Sequence, residues 1–265
     1  MIIKKVTCKT ALSLSKLPGL DYSLNPYTGC EHKCAYCYSP NILRIPRENW
    51  GNFVYIKENI PLVLSKELKK KNKGVVGIST VTDPYQPAER KYQLTRFCLQ
   101  QLLNYDFPIS IQTKSSLIER DIEIIKKFSD SEILITISTL NDYERKLIEP
   151  NSSPIQKRLM VLKKISELGL KTSVFFGPIY PSITKNDIPQ IIDVFIDNNV
   201  SKIMIDNLHL KPGVWNSIKK QITTDQNLLE IFSKNLFENN NYFKELRKEI
   251  IVAGKEKNIK IVDAF

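Results

Sequence analysis

Residues 75–103 read VVGISTVTDPYQPAERKYQLTRFCLQQLL. The first seven are mostly β-branched, with no polar alternation, the pattern of a strand buried on both faces. A loop of turn-forming residues follows, with prolines at 84 and 87. Beyond it Leu94, Phe97, Cys98, Gln101 and Leu102 recur at helical spacing. The unit is therefore strand, loop, helix. The same unit is read at 109–113 with 122–128, at 133–138 with 154–168, and at 173–176 with 189–196; a further strand lies at 203–205. An earlier strand at 22–27 and a helix at 62–71 extend the series. Ser153-Pro154 reads as an N-cap with proline at the first helical position, and Gly169 as that helix's stop. About six such units predict an α/β fold, a partial (β/α)6 TIM-type barrel of parallel strands over residues 1–212. Residues 213–265 are expected to be a helical extension packed on it, with helices at 227–237 and 242–256 and a closing strand at 259–262. Ligands in such sheets bind at the carboxyl ends of the strands, so the site is sought in those loops.

The composition, 42% hydrophobic and 25% charged over 265 residues, is that of an ordinary globular chain. No apolar run reaches membrane-span length and Met1-Ile2-Ile3-Lys4-Lys5 opens no signal core, so a cytoplasmic protein with no membrane association is expected. The cytosol keeps thiols reduced, which excludes a disulfide framework for the five cysteines. The net charge of +11 attracts polyanions such as nucleic acid. The lysines are dispersed, as in Lys69-Lys70-Lys71 and Lys163-Lys164, so a solvated surface is the plainer reading of the charge.

Three of the five cysteines, Cys30, Cys34 and Cys37, fall within eight residues just after the first strand. A closed zinc site wants four ligands. His32 lies only two residues from Cys30 and from Cys34, an awkward span for chelating one ion, and the other histidine, His209, is distant in sequence. Cys98 sits on an apolar helical face as a core thiol, and Cys8 reads as a bystander. Four-iron clusters are normally held by four thiolates. Three leave one iron for a ligand from solution, and an open metal position is the mark of chemistry.

Cys-x3-Cys-x2-Cys with Tyr36 before the last cysteine resembles the signature of radical S-adenosylmethionine (SAM) enzymes. Asn25-Pro26-Tyr27-Thr28-Gly29-Cys30 through Cys37-Tyr38 resembles, more narrowly, spore photoproduct lyase and its DNA repair photolyase-like relatives. Similar blocks follow at 79–87 (STVTDPYQP), 112–115 (QTKS), 137–140 (ISTL) and 147–150 (LIEP). The resemblance spans residues 8–212.

That resemblance implies a [4Fe-4S] cluster on Cys30, Cys34 and Cys37 and S-adenosyl-L-methionine on its remaining iron. Reductive cleavage would give a 5′-deoxyadenosyl radical that takes hydrogen from a substrate. It implies an electron donor, a flavodoxin- or ferredoxin-like protein, and admits nucleic acid as partner. Tyr36 would lie against the adenine. Many members carry Gly-Gly-Glu after the second strand to receive the methionyl amine; here Thr80, Thr82 and Asp83 stand there, with a turn at Asp83-Pro84 as the competing reading. Lys114 and Ser138, at strand ends, would reach the methionyl carboxylate. Gly177 would border the adenine. Arg158 pairs with Glu149 or the cofactor, or more plainly forms a surface salt bridge. No catalytic residue is assigned.

Spore photoproduct lyase needs a cysteine hydrogen donor at the end of the second strand, where this chain offers Ser79, Thr80 and Thr82. The same lesion repair is therefore not expected. Three functions stay open: a radical enzyme acting on nucleic acid, one acting on a small molecule or peptide, and a non-catalytic iron–sulfur or zinc module that binds nucleic acid.

Overall fold

The computed structural model describes residues 1–264. Eleven strands lie among them: β1 (Ile2–Val6), β2 (Leu12–Leu14), β3 (Tyr22–Leu24), β4 (Tyr27–Thr28), β5 (Phe53–Lys57), β6 (Val76–Ile78), β7 (Ile109–Thr113), β8 (Ser131–Thr136), β9 (Lys171–Phe176), β10 (Lys202–Ile205) and β11 (Lys260–Asp263). Eight form one sheet in the order β11-β10-β9-β8-β7-β6-β3-β2. Its neighbours pair in parallel from β3 (Tyr22 opposite Val76) through β6 (Val76 opposite Ile109) to β7. On the far side β9, β10 and β11 are also parallel, with Lys202 opposite Ser173 and Lys260. The edge strand β2 runs antiparallel to β3, Leu12 opposite Leu24. The predicted α/β class and parallel sheet hold, in the manner of a partial TIM-type barrel.

The β-branched runs become strands because both their faces are covered. Val76, Gly77 and Ile78 are all buried, as are Thr172 to Phe176 of β9. The intervening helices bury one stripe each. Leu94–Leu103 turns Leu94, Thr95, Cys98, Leu99 and Leu102 inward, so Cys98 is the expected core thiol. Ile155–Glu167 buries Ile155, Arg158, Val161, Leu162 and Ile165 and stops before Gly169, whose φ of 76° closes it. Its start departs from expectation: the cap position falls on Pro154, whose side chain makes no cap bond, and the Ser153 hydroxyl accepts the Ser116 amide at 2.9 Å.

A three-stranded sheet, β1-β5-β4, was not read in the sequence. Residues 2–5 of β1 are exposed, so no buried face marks the strand. The expected strand at 22–27 is broken into β3 and β4 at Asn25-Pro26, because proline has no amide to continue a ladder. The tail holds a further helix, Val214–Ile222, before Gln226–Ser233 and Tyr242–Glu256, and its last strand pairs with β10.

By its internal contacts the chain divides into two compact units. One comprises residues 1–33, 39–134 and 151–153; the other comprises 34–38, 135–150 and 154–265. Among the described residues no helix is long and apolar enough to cross a membrane.

Candidate active site

The residues expected to hold the cluster and the cofactor lie on the cysteine loop or at a strand's carboxyl end. Cys30, Cys34 and Cys37 follow β4; Thr80, Thr82 and Asp83 follow β6; Lys114 follows β7, Ser138 follows β8 and Gly177 follows β9. The loop begins at Gly29, whose φ is 90° and whose Cβ would stand 2.4 Å from the Phe53 carbonyl oxygen, so only glycine fits. Cys30 and Cys34 are buried, Cys37 is half-buried, and none of the five cysteines is in a disulfide. Among the described residues no three Cys, His, Asp or Glu side chains converge on one point as a single ion requires. A cluster asks for less, because its thiolates sit on separate irons.

Within the first unit the DPYQP block holds this loop. Gln86 is fully buried; its Nε2 donates to the Gly29 carbonyl (3.1 Å) and to Thr82 Oγ1 (2.9 Å), and its Oε1 accepts the Glu31 amide (3.0 Å). The Thr82 hydroxyl donates to the Gly29 carbonyl at 2.7 Å, and the Glu31 carboxylate accepts the Ala88 amide. Thr80 Oγ1 accepts Asn25 Nδ2 at 3.4 Å. Asp83 ties three segments together. It accepts the Tyr85 amide (2.9 Å), the Thr113 hydroxyl (2.7 Å) and the Lys114 amide (2.9 Å), and His32 Nδ1 stands 3.3 Å from Oδ2, close but not aligned for a hydrogen bond. Burial would push the Asp83 carboxyl up; His32 and these donors outweigh it and hold it well below the usual range. Asp83 thus forms the turn at Asp83-Pro84 while its carboxylate accepts these protein donors.

Ser79, at the end of β6, has a φ of 65° and a buried hydroxyl with no hydrogen-bond partner. A left-handed serine is uncommon, and such strain collects at functional sites.

The second unit centres on Glu149. Its Oε1 accepts the Tyr36 hydroxyl and, at 3.5 Å, that of Ser138; its Oε2 is 2.5 Å from Arg158 Nη2. The two side chains of the ion pair are wholly buried, so Arg158 is not the surface salt bridge the sequence suggested. Its other nitrogen, Nη1, donates to the Thr136 carbonyl at 2.8 Å. A helix stripe that is otherwise apolar carries one arginine because Glu149 meets it. Ser138 is buried and donates to the Gly177 carbonyl at 3.1 Å. Gly177 has no room for a side chain, since a Cβ would stand 2.6 Å from the Phe175 ring. The Ala35 amide donates to the Ile148 carbonyl at 2.9 Å, so the end of helix Asp142–Ile148 holds the middle of the cysteine loop. Burial, then Glu149, then Cys34 push the Tyr36 phenol well above its ordinary range, which keeps it a neutral donor. Tyr180 packs edge-on to Tyr36, ring centroids 6.2 Å apart. His209, by contrast, is exposed and pairs with Asp206 at 3.0 Å.

Residues 24–195 match the sequence profile of the Radical SAM superfamily. The chain belongs to that superfamily. It is an enzyme of the radical SAM class. It is 36% identical over 192 residues to an uncharacterised protein of Methanocaldococcus jannaschii, covering 72% of this chain and 71% of that one. It is 24% identical over 164 residues to a radical SAM Nα-GlyT isomerase of Pseudomonas phage M6, covering 61% of this chain and 34% of that one. In fold it is similar to a spore photoproduct lyase variant solved with bound AdoMet and dinucleoside spore photoproduct, with a TM-score of 0.74 at 13% identity over 100% of this chain and 82% of that one. The radical SAM family implies a [4Fe-4S] cluster, S-adenosylmethionine and an electron donor. Gln86, Ser79 and Tyr180 had drawn no role from the sequence; only the DPYQP block hinted at the first.

Proposed function

We propose that Cys30, Cys34 and Cys37 hold a [4Fe-4S] cluster whose remaining iron takes S-adenosylmethionine, and that the enzyme acts on nucleic acid. Together these cofactors supply a 5′-deoxyadenosyl radical that removes a hydrogen atom from the substrate. The observation that carries the reading is the loop itself: three thiols in no disulfide, on a backbone pinned by Gln86, with no fourth cysteine near them in the sequence. The protein's part is to hold and orient. Tyr36, fixed by its hydroxyl on Glu149, offers its ring to the adenine, and Gly177 borders the same base. The segment 79–83 receives the methionyl amine. The unpartnered Ser79 hydroxyl adds an acceptor to Thr80, while Thr82 and Asp83 hold the segment in place through the bonds they already make. Lys114 and Ser138 take the carboxylate.

The nucleic-acid reading is supported by the charge of +11 and by the likeness to the spore photoproduct lyase variant solved with a dinucleoside. No thiol stands at 79–83, so the reaction differs from spore photoproduct repair in its hydrogen donor. A flavodoxin- or ferredoxin-like protein supplies the electron.

Cys34→Ala tests the ligand set. After anaerobic reconstitution it is expected to lose the brown cluster absorbance and the cleavage of S-adenosylmethionine to 5′-deoxyadenosine. A variant that keeps both contradicts the assignment.

A further inference from the structure

We propose that the Tyr180 hydroxyl donates a hydrogen bond to the sulfur core of the cluster at Cys34 and so raises its reduction potential. This rests on the cluster reading above.

Tyr180 is 1% exposed, and its hydroxyl is one of a handful of buried polar atoms without a partner. A buried donor left unpaired is costly, and natural proteins seldom keep one without a ligand for it. The hydroxyl has little freedom to seek a partner elsewhere. Its backbone carbonyl accepts the Tyr242 hydroxyl (3.1 Å) and the Ile183 amide (3.0 Å). Its ring is wedged edge-on between Tyr36 and Phe232, each 6.2 Å away. Only the O–H rotor turns. Burial, Glu149, Cys34 and Glu144 push the phenol up and outweigh Arg158, which pulls it down, so the hydroxyl stays protonated. Arg158 is a donor and offers it nothing. Glu149 accepts Tyr36, Ser138 and Arg158. Glu144 accepts Ser182 at 2.7 Å and Asn141 at 3.4 Å. Cys34 is the remaining neighbour, and a cluster there brings sulfide and thiolate acceptors. Hydrogen bonds to cluster sulfurs stabilise the more negative, reduced state, which raises the potential.

The test poises reconstituted wild type and Tyr180→Phe at one fixed potential and reads reduced cluster by electron paramagnetic resonance (EPR). Iron and sulfide are counted first. A wild type without four of each defeats the cluster reading itself, whereas a filled cluster lets the tyrosine be judged alone. The oxidised-to-reduced ratio of Tyr180→Phe is expected to rise about tenfold, equivalent to 59 mV for a one-electron couple. An unchanged ratio with a full cluster overturns the proposal, as does weaker S-adenosylmethionine binding at an unchanged ratio. Tyr85→Phe, which removes a buried hydroxyl beside Asp121 and Glu89, is expected to leave the ratio unaltered. Should Tyr180→Phe fail to take up iron, the wild type alone decides. Its iron–sulfur stretching modes are expected to shift between H2O and D2O, and modes that stay put overturn the proposal.

Discussion

Arg158 shows how much one partner decides. Alone on an apolar helix face it would be a liability; with Glu149 at 2.5 Å it is a buried pair that also fixes Tyr36. Removing one member strands the other's charge, at a cost of about 3–5 kcal/mol. Arg158→Leu should therefore lower the urea midpoint sharply, and Arg158→Leu with Glu149→Leu should lower it by less than the single change. A single change near the wild-type midpoint contradicts the buried pair. Asp83 makes a different statement through pH. Its carboxyl is held below the ordinary value of about 3.9, so its contribution is full above that pH and fades as pH falls through the lower folded value. Asp83→Asn should be less stable than wild type at pH 6, with the gap narrowing steadily below pH 4. Parallel stability curves across that range would remove Asp83 from the account.

At the scale of elements, the strands of the sheet were legible as unbroken β-branched runs buried on both faces, and the helices as apolar stripes that recur at helical spacing. Elements without a buried face were not: β1 exposes residues 2–5, and no apolar face announces it. Proline and serine at 153–154 gave a plausible cap, yet Ser153 found a nearer use on Ser116. The cysteine loop and the strand-end residues were readable because each motif is local. Their supports were not, because the partners are remote: Gln86 meets Glu31 across 55 residues, and Tyr36 meets Glu149 across 113. The loop's dependence on those supports is measurable. Gln86→Leu leaves the Glu31 amide without its acceptor and should release iron to a chelator several-fold faster than wild type at equal starting content. Gly29→Ala must move either the loop or Phe53 and should fill poorly from the outset. Wild-type retention in both would show that the loop is held by other means.

For the whole molecule, fold and family leave the substrate to charge and chemistry. A surface of +11 predicts that binding to a single-stranded oligonucleotide weakens by an order of magnitude or more between about 50 and 200 mM salt, as counterion release requires. A flat salt dependence in a gel-shift titration would instead favour a small molecule or peptide. The account stands first on its cofactors, and the most direct measurement is EPR of the dithionite-reduced, oxygen-free protein with and without S-adenosylmethionine. It should show one four-iron cubane per chain whose signal changes when the sulfonium compound is added. No cubane, or a signal indifferent to that addition, would contradict it.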